Sequence, residues 1–227
     1  MALILCIETT STNCSIALAS EAGGFFNNFK VDYCLDLMED QSDSYSHGEL
    51  LHVYIKDILD RNQFSTKDLD AVAISKGPGS YTGLRIGIAS AKGLCYALNI
   101  PLISIDTLQS LSIKATINGL IIPMVDARRM EVYSGVYNTV EQIEEVKAVV
   151  LAKESYENYL SLGDVTIIGT GALKFQELNR DTSNVYQDAL STALTMCDLA
   201  IKAYNKSDTV KDIAYFEPFY LKEFRSN

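Results

Sequence analysis

Tryptophan is absent from the 227-residue chain, proline occurs four times and histidine twice. The two histidines, His47 and His52, stand five residues apart on a stretch with helical spacing. On a helix they would point about 140° from each other, whereas zinc-binding helices use i and i+4. The cysteines, Cys6, Cys14, Cys34, Cys95 and Cys197, are scattered and form no C-x-x-C pair. A metal knuckle is therefore excluded, and the usage fits buried thiols in a reducing compartment, so a cytoplasmic protein is expected. No G-x-S-x-G nucleophile motif is present. Basic residues are also scarce, 19 against 29 acidic ones, for a formal net charge of −10. Phosphate neutralisation supplies most nucleic-acid affinity, so any nucleic acid is expected to be held mainly by a partner. The longest apolar runs, such as Leu120 to Val125, are far too short to span a bilayer. Met1 to Ile7 has neither a basic flank nor a small-residue cleavage site and reads as a strand rather than a signal peptide.

What is present is organised around Lys76 to Leu98, KGPGSYTGLRIGIASAKGLCYAL. An apolar run, Ala71 to Ser75, leads into the turn Gly77-Pro78-Gly79-Ser80. A helix follows that carries Gly83, Gly87 and Ala91 at four-residue intervals, hence on one face. Each interior glycine costs a helix about 1 kcal/mol relative to alanine, so something must approach that face closely. Two readings stand: the helix packs tightly on its own sheet, or a partner helix or ligand comes near. The loop matches neither familiar phosphate pattern, because Thr82 and Leu84 occupy the positions where Walker A or the dinucleotide fingerprint needs glycine.

Around this unit the pattern gives strands at Ala2 to Glu8 and Cys14 to Ser20 and an extended run through Phe29, Val31 and Tyr33, joined as a meander. The acidic stretch Asp36 to Asp43 reads as a solvated loop. Ser46 to Arg61 is an amphipathic helix, and Leu102 to Ile105 a strand after the stop Asn99-Ile100-Pro101. Asp106 is a helix N-cap, and strands at Leu120 to Val125 and Met130 to Tyr137 form a hairpin across Asp126-Ala127-Arg128-Arg129. Glu141 to Glu145 reads as exposed; a short helix near Tyr156, a strand at Val165 to Ile168, a further helix, and a longer one over Ser191 to Tyr204 follow. The aromatic end, Tyr215 to Leu221, is extended. The expected division is a first lobe at 1–105 and a smaller one at 106–227, whose last segment returns to the first.

Three polar turns follow apolar strands, at Glu8 to Asn13, Gly77 to Thr82 and Gly169 to Ala172. In α/β folds such positions collect ligands, because backbone N–H groups and helix N-termini converge there. The hairpin turn Asp126-Ala127-Arg128-Arg129-Met130-Glu131 reads either as a solvated turn with surface ion pairs or as a site for an anionic ligand or acidic partner segment.

Together, LILCIETTSTNCSIAL (3–18), HGELL (47–51), KGPGSYTGLRIGIASAKGLCYALNIPL (76–102) and MVDARRMEVY (124–133) resemble the TsaB family. TsaB proteins support threonylcarbamoyladenosine formation on tRNA. The resemblance implies an α/β, actin-like fold of two lobes, each a mixed sheet flanked by helices. It implies a non-catalytic subunit that pairs with TsaD, with the ATPase TsaE acting through that pair. ATP and metal are then expected on the partner subunits, no cofactor in this chain, and tRNA mainly through the partners. The implied pairing face is Leu50, Leu51, Tyr54 and Ile58 of one helix and Leu84, Gly87, Ala91 and Leu94 of the next. Bulk at Gly87 is expected to break pairing and spare the fold, and the same face could support a homodimer. The two-histidine metal motif of TsaD is missing. The alternative is a small kinase or ATPase of the same fold, with Glu8, Thr9, Ser80, Thr82, Gly169 and Gly171 lining a nucleotide cleft.

Overall fold

The computed structural model describes residues 1–26, 31–40, 46–115, 119–138, 141–179 and 183–222. Two five-stranded sheets are built on one plan. Strands β1 (Leu3–Glu8), β2 (Cys14–Phe26) and β3 (Val31–Asp40) form an antiparallel meander. Helix α1 (His47–Arg61) crosses over to β4 (Ala71–Ser75), which pairs parallel with β1. Helix α2 (Tyr81–Leu98) then leads to β5 (Leu102–Ile105), parallel with β4, giving the order β3-β2-β1-β4-β5.

After α3 (Thr107–Ser112) the plan repeats. Strands β6 (Leu120–Asp126), β7 (Glu131–Tyr137) and β8 (Gln142–Val150) form the second meander. Helices α4 (Glu157–Leu160) and α5 (Ala172–Asn179) flank β9 (Val165–Ile168), and β10 (Val185–Gln187) closes the order β10-β9-β6-β7-β8. A short 3-10 turn, Leu194–Met196, precedes α6 (Cys197–Asn205). The duplicated plan is the actin-like fold that the resemblance implies.

Strand alternation decides which face each residue serves. On β1, β2 and β4 the larger side chains Leu5, Ile7, Ile16, Leu18, Val72 and Ile74 join a core under α1 and α2. The intervening Ala17, Ala19, Ala71 and Ala73, with Ile4 and Cys6, face Cys197, Ala200 and Ile201 of α6. Small residues on that face let α6 lie close to the sheet. The second lobe is centred on Phe175, fully buried among Ile122, Met124, Val132 and Ile167.

The acidic stretch read as a loop from Asp36 is strand as far as Asp40, and 41–45 lie outside the described residues. Glu141 to Glu145 likewise leads into β8, which sequence reading missed along with β10. Both β3 and β8 are edge strands, where charged side chains oppose edge-to-edge pairing and obscure the strand pattern. The helix expected from Ser191 begins at Cys197 instead. Asn13 Nδ2 donates to the Ser191 carbonyl, an acceptor that a helix from Ser191 would use, and the Ala193 N–H donates to Ser15 Oγ, so side chains of the first lobe hold this segment ahead of α6.

The chain end wraps α2. Lys92 Nζ donates to the carbonyls of Ala214 and Phe216, and the Phe219 N–H donates to the Lys76 carbonyl at 2.8 Å. The Tyr220 ring lies 5.3 Å from that of Tyr81. Lys222 then pairs with Glu131 of the second lobe. Removing the aromatic centre of that lobe, Phe175→Ala, is expected to lower unfolding stability by about 3–5 kcal/mol, read from urea denaturation.

Candidate functional site

The first two polar turns meet at the carboxyl ends of β1 and β4. The Ser80 N–H donates to the Thr10 carbonyl at 2.7 Å, and Thr9 Oγ1 donates to the Gly83 carbonyl at 2.9 Å. Ser80 N-caps α2, its Oγ accepting from the Gly83 N–H. Contact is so close that no side chain fits. A Cβ at Gly79 would lie 2.5 Å from Thr10 Cβ, and one at Gly83 would lie 2.0 Å from the Thr9 carbonyl oxygen. At Gly87 it would meet Thr9 Oγ1 at 2.2 Å. Of the two readings of the small-residue face, tight packing on the chain's own sheet and turn is the one the structure satisfies.

Glu8 is completely buried beneath this junction. The Thr10 N–H donates to its Oε1 at 2.6 Å, while Glu8 Oε2 and Thr10 Oγ1 make no aligned hydrogen bond. Burial raises the carboxyl above its ordinary value, opposed by the hydrogen-bonding groups of Thr10, Ser75 and Thr9 around it. Thr82 is exposed on the first turn of α2. His47 starts α1 as a buried residue with Nε2 2.8 Å from the Ser11 carbonyl, tying that helix to the first turn. Burial lowers its pKa, which keeps the ring a neutral donor. His52 is exposed and reaches Ser90 Oγ of α2. Among the described residues no group of three or more His, Cys, Asp or Glu is placed to hold a metal.

The third turn has its own hydrogen-bond partners. The Gly169 N–H donates to the Gln187 carbonyl and the Gly171 N–H to the Met124 carbonyl, both within the second lobe. Among the described residues no hydrogen bond joins this turn to the other two. Glu8, Thr9 and Ser80 thus meet in one hydrogen-bonded junction, whereas the N–H groups of Gly169 and Gly171 bond within the second lobe.

The expected pairing face divides. Leu51 and Ile58 of α1, and Leu84, Gly87 and Ala91 of α2, are buried in the chain's own core; Leu50, Tyr54 and Leu94 are half-buried at its margin. The outward face shared by the two helices carries other residues. On α1 it presents His52 and Val53, the latter 48% exposed. On α2 it presents Arg85, Ala89, Gly93 and Tyr96, the last 88% exposed. A Cβ at Gly93 or Gly48 would meet nothing within 4 Å. Sequence reasoning missed Gly93 because its spacing does not match the Gly83–Gly87–Ala91 register.

The family model described as "TsaD: tRNA N6-adenosine threonylcarbamoyltransferase" matches residues 41–216. The "tRNA threonylcarbamoyladenosine biosynthesis protein TsaB" of Escherichia coli K12 is 30% identical over 230 residues, covering 96% of this chain and 94% of its own. The chain belongs to the TsaB family. A TsaB of Bacillus subtilis is 33% identical over 135 residues, 59% of this chain and 54% of that one. The solved structure described as "YeaZ from Pseudomonas aeruginosa" superimposes with a TM-score of 0.76 at 24% identity, covering 97% of this chain and all of that one. The TsaB-family fold therefore extends through both lobes, including the second half, where sequence motifs are sparse.

Two outcomes follow from this geometry. Gly83→Ala should destabilise the chain despite its better helix propensity, because the new methyl meets the Thr9 backbone. Gly93→Ala should stabilise it by about 1 kcal/mol, the difference appearing in thermal or urea melts. For Glu8, the raised folded pKa means that the unfolded chain ionises first as pH climbs past 4.5. Wild-type stability should therefore fall above that pH until the folded carboxyl ionises too, and Glu8→Gln should gain on wild type over the same window in urea titrations at stepped pH.

Proposed function

We propose that this chain is the non-catalytic subunit that pairs with a TsaD threonylcarbamoyltransferase in forming N6-threonylcarbamoyladenosine on tRNA. The observation that carries the reading is the closed junction of the first two turns. In a nucleotide-binding relative, backbone donors at such strand ends would face phosphates. Here the Ser80 N–H is taken by the Thr10 carbonyl, and Gly79 and Gly83 are pressed against Thr10 and Thr9. The carboxylate nearest this position, Glu8, is fully buried with its pKa raised, which suits a structural acid better than a metal ligand.

The pairing surface in this reading is the outward face of α1 and α2. Gly93 lies mid-helix with open space in front of it, and an interior glycine without an internal reason is a standing cost of about 1 kcal/mol. Close approach by a partner helix explains it, since small residues let helices pack near the short end of the 8–10 Å range. Ala89 and Ala97 stand one turn on either side. Leu50, Tyr54 and Leu94 contribute at the edge. ATP and metal belong to the partner subunits, TsaE acts on the pair, and tRNA is held chiefly by partners, consistent with the charge of −10. The five cysteines are all free and buried, as suits the reducing cytoplasm.

Light scattering on a sizing column, for this chain alone and mixed with TsaD of its own organism, should give a one-to-one species. Gly93→Arg should abolish it without loss of stability, since arginine is nearly as good a helix former as alanine and the position is open. Gly87→Arg, by contrast, should damage the fold itself. Unchanged pairing by Gly93→Arg would remove the proposed face. Micromolar ATP binding with turnover by the isolated chain would overturn the non-catalytic reading.

A further inference from the structure

The β6–β7 hairpin turn serves neither the closed junction nor the α1–α2 face. Arg128 and Arg129 occupy it with φ of 70° and 52°, in the left-handed region that side chains bearing a Cβ enter at a cost. The backbone around them is pinned. The Arg128 N–H donates to Asp126 Oδ1, the Glu131 N–H donates to the Arg128 carbonyl, and Lys174 Nζ donates to the Arg129 carbonyl. The neighbouring charges pair off, Lys174 with Asp126 and Lys222 with Glu131. The two guanidiniums do not: both are exposed, and neither has a side-chain partner among the described residues. In a chain with ten more acidic than basic residues, two adjacent exposed arginines without an ion-pair partner among the described residues form a local exception.

Beside them apolar side chains are exposed among charged ones. Met130, 42% exposed, opens a recess of about 430 Å³ whose other walls are Lys174, Glu177 and Leu178. Val150, 71% exposed, is the partner of Glu131 across β7 and β8 at the same end of the sheet. Methionine and arginine are both enriched at protein interfaces, and an arginine fork matches a carboxylate in two parallel hydrogen bonds. An RNA strand fits less well, because the residues lining the recess include no aromatic platform on which bases could stack.

We propose that this end of the second lobe docks an acidic, apolar segment of a partner protein, with an apolar side chain in the Met130 recess and a neighbouring carboxylate on Arg128 and Arg129. The proposal does not depend on the pairing reading, because its test uses the chain alone.

The full chain, labelled with ¹³C at the methionine methyls, is titrated with three probes. These are the blocked peptide Asp-Glu-Phe-Leu-Asp-Glu, its amide counterpart Asn-Gln-Phe-Leu-Asn-Gln, and hexauridine. The Met130 methyl should shift and saturate with the acidic peptide, and the amide peptide should bind about tenfold more weakly or worse. The double variant Arg128→Asn, Arg129→Asn should lose the acidic preference, since asparagine tolerates the left-handed region and keeps the turn. Equal affinity for the acidic and amide peptides, saturation by hexauridine instead, an unmoved Met130 signal, or an undiminished preference in the double variant would overturn it.

Discussion

Thr9 and Thr10 press so closely under α2 that only glycine can stand opposite them, and the first lobe is built on that contact. The turn after β1 supplies a carbonyl for the Ser80 N–H, a hydroxyl for the Gly83 carbonyl, and the surface against which Gly79, Gly83 and Gly87 close. It also receives His47 at the start of α1 and covers Glu8 from solvent. One short polar segment thereby positions both helices of that face.

The duplicated sheet plan leaves edge strands on which charge is accommodated. The acidic residues of the edge strands β3 and β8 and of the exposed face of α1 are solvated or locally paired. Asp36 of β3 accepts from Arg61 at the end of α1, and Glu39 accepts from Asn13, Ser15 and Thr192 where the later chain returns. Charge on an edge thus does two things at once, discouraging an added strand and anchoring neighbouring segments. The two sheets are also tied along the chain end, from Lys76 and Lys92 through Tyr220 to Lys222 on Glu131.

The distribution of glycine separates internal packing from surface display. Gly83 and Gly87 have immediate neighbours in the same chain, so their cost to the helix is offset by the closeness they permit. Gly93 shares the helix but has open space in front of it. The open face of α2 is for this reason rotated away from the face that the four-residue repeat marks in the sequence.

The motifs from Leu3 to Leu18 and from Lys76 to Leu102, the alternation of β1 and β4, the apolar stripe of α1 and the Asp106 cap were legible from residue order, because each rests on local periodicity or turn chemistry. Those signals sufficed for the family and for the βββαβαβ order of the first lobe. What approaches the glycine face was decided only in three dimensions, since Thr9 lies 74 residues from Gly83 and no local pattern links them. The same holds for the late start of α6, set by Asn13 and Ser15, and for the strand character of β3 and β8, where pairing with a neighbour outweighs a charged composition. Local propensity is carried by a few adjacent residues, whereas packing depends on segments the chain brings together from far apart.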